Sequence, residues 1–205
     1  MPDTVLVTGA TGGLGGAVVE ALEEDGWKVA ALGREDADLT DAQETQRAIG
    51  SIEGLAGVAH LVGGFSSGPK VHETEPGDFA RLVELNLVTT FNVARAAIPA
   101  LLERGGGPFV AVSAKAAERP FPNAAAYVSA KAAVLAFVRT LDTEYGAAGV
   151  RANVLLPGMI DTPANRQAMP DSDRMGWTAP EQIAEVVRFL VSGEASAVRG
   201  AAIPV

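Results

Sequence analysis

The sequence predicts an α/β fold in which a doubly wound, mainly parallel sheet carries helices on both faces. Short apolar runs alternate along the chain with longer segments whose apolar residues recur at helical spacing. Gly or Pro follows four of these runs, at Gly9, Gly33, Gly63 and Pro157. Because such sheets bind ligands beyond the carboxyl ends of their strands, these positions belong to the predicted binding edge.

Six strands can be placed in a sheet that we expect to contain about seven. They are short, mostly apolar runs at residues 5–7, 29–32, 58–62, 109–112, 150–156 and 201–205. Four helices are predicted at residues 14–25, 79–102, 124–145 and 178–191. We expect the second helix to bend near Pro99, and a capping box, Thr178-x-x-Glu181, to start the last one.

The composition favours one cytoplasmic domain over residues 1–205. The chain is 48% hydrophobic and 20% charged, which suits a single sizeable core. A formal net charge of -9 disfavours nucleic-acid binding, and the absence of cysteine leaves no thiolate for a metal site, so no metal is predicted. Residues 1–4 contain no basic leader, and no apolar stretch reaches the roughly 18 residues of a membrane span.

A glycine-rich segment at residues 8–15, Thr-Gly-Ala-Thr-Gly-Gly-Leu-Gly, joins the first strand to the first helix. Glycine lets the backbone turn sharply and approach a ligand closely, and a helix N-terminus offers N–H groups and a positive dipole end. A diphosphate satisfies both features. The spacing fits Gly9, Gly13 and Gly15, and it fits Gly9, Gly12 and Gly15 equally well.

Tyr127 and Lys131 stand four residues apart on the third predicted helix, so they share one face of it. A cation beside a phenol favours the phenolate and lowers the pKa of the phenol. This pairing makes Tyr127 a candidate proton donor and acceptor near neutral pH.

With these motifs the chain resembles the short-chain dehydrogenase/reductase family over nearly its whole length. The landmarks stand in the family's order: the glycine loop, Asp38-Leu39, Asn86, the Tyr127/Lys131 pair, and Pro157-Gly158 followed by Thr162. The resemblance implies a single Rossmann domain that binds NAD(P)(H). It also favours the spacing with Gly13, because relatives with the Gly12 spacing are larger, epimerase-type proteins with a C-terminal substrate region.

The resemblance implies a role for each landmark. Tyr127, Lys131 and Asn86 are the implied catalytic residues: Tyr127 transfers the proton, Lys131 binds the nicotinamide ribose and lowers the pKa of Tyr127, and Asn86 holds a water that links to Lys131. Asp38 meets the adenine amine, and Thr162 holds the nicotinamide carboxamide. The implied cofactor site consists of Thr8, Gly9, Thr11, Gly13, Leu14, Gly15, Arg34, Asp38, Leu39, Gly63, Gly64, Lys131, Pro157, Gly158 and Thr162.

Two positions depart from the family pattern. Gly63-Gly64 stands where Asn-Asn-Ala-Gly is usual, so only small residues remain there. Ala114 stands thirteen residues before Tyr127, where the family has its catalytic Ser. Ser113 is retained as a substrate candidate, although neighbours in a strand point to opposite faces.

Ala114, the Gly63-Gly64-Phe65 turn and the segment 161–178 resemble the dihydropteridine reductases, whereas Asn86 and Gly33-Arg34 depart from that subgroup. We therefore expect hydride transfer between a nicotinamide and a small carbonyl or quinonoid acceptor. A ketone or oxoacyl reductase is the alternative within this class. A non-catalytic NADP(H)-binding sensor is the alternative of another class.

Arg34 predicts a preference for NADP(H) over NAD(H), because a guanidinium suits the 2′-phosphate, while Glu35 and Asp36 act against that preference. Trp177 is a second substrate candidate. His60, inside an apolar strand, is interpreted as a core histidine. The resemblance implies a small-molecule substrate and a homodimer or homotetramer, without nucleic acid or membrane as partner.

Overall fold

Six parallel strands form one sheet in the order β2-β1-β3-β4-β5-β6. The structure is a computed structural model that describes residues 3–205, so Met1 and Pro2, part of the segment expected to lack a basic leader, lie outside the described residues. The strands are β1 Thr4–Thr8, β2 Lys28–Leu32, β3 Leu55–His60, β4 Gly107–Val112, β5 Val150–Leu156 and β6 Ala202–Pro204. The parallel, doubly wound fold is confirmed, with six strands in the described residues rather than about seven.

The helices are α1 Gly15–Glu24, α2 Ala42–Gly50, α3 Pro76–Val83, α4 Thr89–Glu103, α5 Ala125–Tyr145, α6 Pro163–Ala168 and α7 Pro180–Val191. Side chains of α1 and α7 share one core cluster with one face of the sheet, and side chains of α2, α4 and α5 share another with the opposite face. Along β1 the alternation is direct, because Leu6 joins the second cluster while Val5 and Val7 join the first.

The order of the strands fixes where a ligand can enter. From β1 the chain crosses outward to β2, returns through α2 to β3 on the other side of β1, and continues outward to β6. The crossover direction therefore reverses between β1 and β3. In a parallel α/β sheet the ligand crevice lies at this reversal, beyond the carboxyl ends of the two strands.

Three local predictions are wrong or incomplete. Helix α2 is absent from the sequence-based prediction, although Asp41 caps it by accepting hydrogen bonds from the N–H groups of Gln43 and Glu44, both at 2.8 Å. Helix α7 is capped at Ala179 rather than Thr178, because Gln182 Oε1 reaches back to the Ala179 N–H at 3.1 Å.

The third difference concerns the long helix. The helix was expected to bend near Pro99, but α4 continues through that residue. The interruption of α-helical geometry is instead a π-helical turn at Glu84–Val88, between α3 and α4. The helical run Pro76–Glu103 is 28 residues long and apolar enough to cross a membrane by length and composition, with a mean hydropathy of 1.3 in its most apolar window. The described structure packs it as a core helix, with Val93, Ala97 and Leu101 buried against the sheet.

Candidate active site

The glycine loop turns from β1 into α1 at the crevice. Gly9 has φ +74°, and its N–H donates to the carbonyl of Leu32 at 2.8 Å. A Cβ on Gly15 would stand 2.3 Å from the carbonyl oxygen of Gly9, and one on Gly13 would stand 2.6 Å from Thr162 Cγ2. On Gly12 the nearest atom would be the Gly9 carbonyl oxygen at 3.2 Å, so the position of Gly13 is the more crowded of the two.

The beginning of α1 fits a diphosphate. Within residues 3–205, the N–H groups of Gly13 and Leu14 have no hydrogen-bond partner, and they precede a helix of ten residues. Unpaired N–H groups at the positive end of a helix dipole attract anions. The Leu14 side chain is buried, so only its backbone can serve a ligand.

Thr8 does not present its side chain to the crevice. It is fully buried, and its Oγ1 lies 2.7 Å from His60 Nδ1, its register partner on β3. The Thr8 hydroxyl is thus engaged with His60, and a cofactor contact by Thr8 stays a prediction for its backbone. His60 is a core histidine, as interpreted from the sequence, and burial, followed by the charge of Lys131, lowers its pKa to about 3.

The end of β2 is where the adenosine ribose is recognised in this type of sheet. A Cβ on Gly33 would stand 2.8 Å from Thr11 Cγ2, so the end of β2 lies against the glycine loop. The Gly33 N–H donates to Asp36 Oδ2 at 2.7 Å. Arg34 is exposed and forms no ion pair within the described residues. Its guanidinium is free to meet an anion, while the Asp36 carboxylate is engaged with the backbone.

Asp38 and Leu39 form the turn that leads into α2. Asp38 is exposed, and hydrogen bonds from the side chain and then the backbone of Thr40 to its Oδ1 lower its pKa. Its second carboxylate oxygen remains open to an adenine amine. The Leu39 carbonyl accepts from Asn92 Nδ2 at 2.9 Å, a brace from α4 that no sequence motif indicated.

Asn86 holds the turn after β3 in place. Buried in the π-helical turn, it accepts from the Gly64 N–H and donates to the Gly64 carbonyl, both at 3.1 Å, and it donates to the Leu82 carbonyl at 2.8 Å. A Cβ on Gly63 would stand 2.7 Å from both Asn86 Oδ1 and Lys131 Nζ. The small residues at this turn are therefore required by the protein's own packing.

Lys131 is buried beside this turn. Its Nζ donates to the Val112 carbonyl at 3.0 Å, and burial lowers the pKa of Lys131 to about 8. Ser113 Oγ donates its single proton to the Lys131 carbonyl at 2.7 Å. This contact turns the Ser113 hydroxyl into α5, so the geometry disfavours Ser113 as a substrate contact, and Ala114 offers no hydroxyl in its place.

Tyr127 lies above Lys131 on α5 and packs edge-on against Phe65, with ring centroids 4.9 Å apart at 82°. Burial raises the pKa of Tyr127 to about 12. The resemblance implies that Lys131 lowers this pKa, whereas in the protein alone burial shifts it in the opposite direction. Tyr127 is therefore a neutral phenol at pH 7, and it is ready to donate a proton.

The segment after β5 lies against the glycine loop. Thr162 is buried, contacts the Gly13 backbone closely and caps α6 through Oγ1 and the Asn165 N–H at 3.2 Å. Pro157-Gly158 follows β5 at the binding edge. Trp177 is half-buried between α6 and α7, and its role toward a substrate stays a prediction.

A cleft of about 340 Å³ opens between the start of α1 and this segment. It is lined by Gly12, Gly13, Gly16, Ala17, Asp161, Pro163, Arg166, Ala179, Pro180 and Glu181. Asp161 and Arg166 form a two-point ion pair there, with N–O distances of 2.6 and 2.8 Å. The two residues are five apart in one segment, and no sequence motif singled out this pair.

Comparison with known proteins supports this arrangement. Residues 36–205 match a family model described as enoyl-(acyl carrier protein) reductase, and residues 1–51 match the NmrA-like family. The chain is 33% identical to 2-(S)-hydroxypropyl-CoM dehydrogenase 3 of Xanthobacter autotrophicus, over 93% of this chain and 76% of the relative. It is 30% identical to the 3-oxoacyl-[acyl-carrier-protein] reductase MabA of Mycobacterium tuberculosis, over 98% of this chain and 90% of the relative.

Solved structures with the same fold cover the whole chain. An oxidoreductase of the short-chain dehydrogenase/reductase family from Burkholderia thailandensis has a TM-score of 0.91 at 28% identity, covering 100% of this chain and 91% of that one. The 3-ketoacyl-(acyl-carrier-protein) reductase from Brucella melitensis, complexed with NADH, has a TM-score of 0.90 at 25% identity, covering 99% and 96%.

Proposed function

The chain belongs to the short-chain dehydrogenase/reductase family and is an NAD(P)-dependent oxidoreductase, and we propose that it reduces a small quinonoid or carbonyl acceptor with Tyr127 as its proton donor. The observation that carries the proposal is the isolated phenol of Tyr127. Its pKa of about 12 keeps it protonated, and the hydroxyl of Ser113, which precedes Ala114, is bonded to the Lys131 carbonyl.

When bound, the reduced nicotinamide supplies the hydride that the acceptor takes up. The chain's own residues prepare the site for that transfer. The N–H groups of Gly13 and Leu14 receive the diphosphate, and Lys131 Nζ, beside Gly63, meets the nicotinamide ribose. Asn86 fixes the Gly64 turn, and Tyr127 gives its hydroxyl proton to the acceptor atom that becomes negative.

A site with one hydroxyl suits an acceptor that is already activated. An electron-poor quinonoid ring needs less polarisation than a simple ketone, and this favours a quinonoid dihydropterin, the substrate of the subgroup that the chain resembles. An oxoacyl substrate is the second candidate, and it is favoured by the names of MabA and of the Brucella enzyme.

Initial rates of cofactor oxidation with the two acceptors separate these candidates. A quinonoid dihydropterin generated in the cuvette is compared with acetoacetyl-CoA, each with NADPH and NADH. We expect the higher kcat/KM with the dihydropterin. A higher value with acetoacetyl-CoA would establish the oxoacyl candidate, and tight cofactor binding without oxidation across a broad panel of acceptors would point to a sensor.

We further propose that NADP(H) is preferred, because Arg34 is exposed, unpaired within residues 3–205 and placed at the end of β2. Replacing Arg34 with Ala is expected to raise the KM for NADPH about tenfold by removing a charge-assisted contact, and to leave the KM for NADH unchanged. Arg47→Ala, which removes the same charge from the last turn of α2, is the control. A wild-type preference for NADH would refute the proposal.

We also propose that the protein is cytoplasmic and assembles as a homodimer or homotetramer through α4 and α5. A largely apolar groove runs between these helices, and Phe91, 47% exposed, packs edge-on against Phe137 with centroids 6.1 Å apart. Phe91→Glu is expected to reduce the mass measured by light scattering to that of the monomer, because a carboxylate is costly to bury. A monomeric wild type would contradict the assembly.

A further inference from the structure

Lys115 is a cation at the binding edge that has no role in cofactor binding or proton transfer as proposed. It follows Ala114 at the carboxyl end of β4, in a short 3₁₀ turn over Lys115–Ala117. Its N–H donates to the Pro157 carbonyl at 2.9 Å, which ties the turn to the end of β5. The backbone of Lys115 is thereby fixed between two strand ends of the predicted crevice.

The side chain of Lys115 lies along Gly158. From the point where a Cβ on Gly158 would stand, Lys115 Cδ is 3.7 Å away and Nζ is 3.6 Å away. Gly158 has no side chain to fill the space next to the ammonium. The ammonium lies beside the Pro157-Gly158 turn, at the same edge of the sheet as the turn after β3.

No carboxylate neutralises this ammonium in the part of the chain that the structure describes. All the ion pairs there involve other side chains, although the sequence has 25 acidic residues against 16 Lys and Arg. Lys115 is exposed and lies at the carboxyl ends of β4 and β5, so its ammonium is a positive charge at the predicted crevice. A positive charge at that place attracts an anionic ligand group and orients it.

We propose that Lys115 contacts the substrate and favours those carbonyl acceptors that carry a carboxylate near the reacting atom. The ammonium and the carboxylate form a charge-assisted hydrogen bond across the space above Gly158, so that the acceptor is oriented by Lys115 and protonated by Tyr127. This inference rests on the proposed function and concerns its carbonyl acceptors, because a dihydropterin has no carboxylate and reacts without this contact.

The test measures binding, so it does not depend on turnover. The enzyme, saturated with NADP⁺ or NAD⁺, is titrated calorimetrically with benzoate and with benzamide, which share a ring and differ in charge. We expect the wild type to bind benzoate more tightly. Lys115→Gln should weaken benzoate binding about tenfold and leave benzamide unchanged, whereas Lys115→Arg should keep the benzoate affinity.

Lys28→Gln is the matched control, since Lys28 is exposed at the start of β2, on the opposite edge of the sheet. Equal affinity of the wild type for the two probes, or no detectable affinity for either, would overturn the inference. So would an equal loss for both probes in Lys115→Gln, because that pattern marks a structural role.

A turnover arm separates the inference from the proposed function. Acetoacetate is compared with its neutral methyl ester, and Lys115→Gln is expected to raise KM for acetoacetate alone while kcat changes little. Absence of oxidation with every acceptor would defeat the proposed function and leave the benzoate result to decide on Lys115. Turnover with an unchanged benzoate affinity in Lys115→Gln would defeat the anion site and leave the function standing.

Discussion

Replacing Tyr127 with Phe is expected to lower kcat about 10²–10⁴-fold, the usual contribution of one general acid. The ring that packs against Phe65 remains, so the fold and the cofactor site should be retained. The only group lost is the hydroxyl, whose proton is held at pH 7 by a pKa of about 12. Steady-state kinetics give kcat, and titration of the variant with reduced cofactor gives its affinity.

Tyr145→Phe is the matched control, because Tyr127 and Tyr145 are the two tyrosines of the chain and Tyr145 lies at the far end of α5. It should retain wild-type kcat. If Tyr127→Phe also kept its turnover, another group would have to supply the proton. A loss of cofactor affinity equal to the loss of kcat would instead show that the phenol binds rather than reacts.

Replacing Lys131 with Met should lower kcat/KM by about 10- to 150-fold, since a hydrogen bond to a charged group contributes about 1.5–3 kcal/mol. The thioether fills the buried space beside Gly63 but makes neither the bond to the Val112 carbonyl nor a contact to a ribose hydroxyl. Because Lys131 binds the cofactor in this account, KM for the reduced cofactor should rise as well. Lys28→Met, at the opposite edge of the sheet, is the control.

The pH profile distinguishes a role of the Lys131 charge from a packing role. Burial lowers the pKa of Lys131 to about 8, so the ammonium is present below that pH and is lost above it. For the reductive direction, kcat/KM of the wild type should therefore fall as the pH rises through about 8, since this parameter reports on the free enzyme. In Lys131→Met the fall near pH 8 should disappear, and a fall that persists would assign the titration to another group.

The order of the landmarks could be predicted because each depends on local sequence. The glycine loop, the Tyr127/Lys131 spacing and the alternation of strands with helices lie within single elements or their junctions. Helix α2 was not predicted, although Asp41, which caps it, is visible in the sequence. It lies in the link between β2 and β3. The strand count differs because about seven were expected from the fold type, while only six runs could be placed in the sequence, and these six are the strands of the described residues.

The features of the site that the sequence did not indicate depend on contacts between distant segments. Thr8 turns inward because the register of β1 and β3 sets it opposite His60. The pKa of Tyr127 rises because the fold buries the phenol, and Phe65 packs edge-on against its ring. Spacing along one helix shows which charges are near, but it does not show how much solvent the rest of the fold removes.

The most direct test of the account is a single-turnover measurement with the reduced cofactor bound. The enzyme is mixed with a quinonoid dihydropterin, and the loss of reduced-nicotinamide absorbance is followed for the wild type and Tyr127→Phe side by side. We expect stoichiometric oxidation in the wild type. In the variant we expect a rate constant about 10²–10⁴-fold lower and an unchanged cofactor affinity. Equal rates in the two proteins would contradict it.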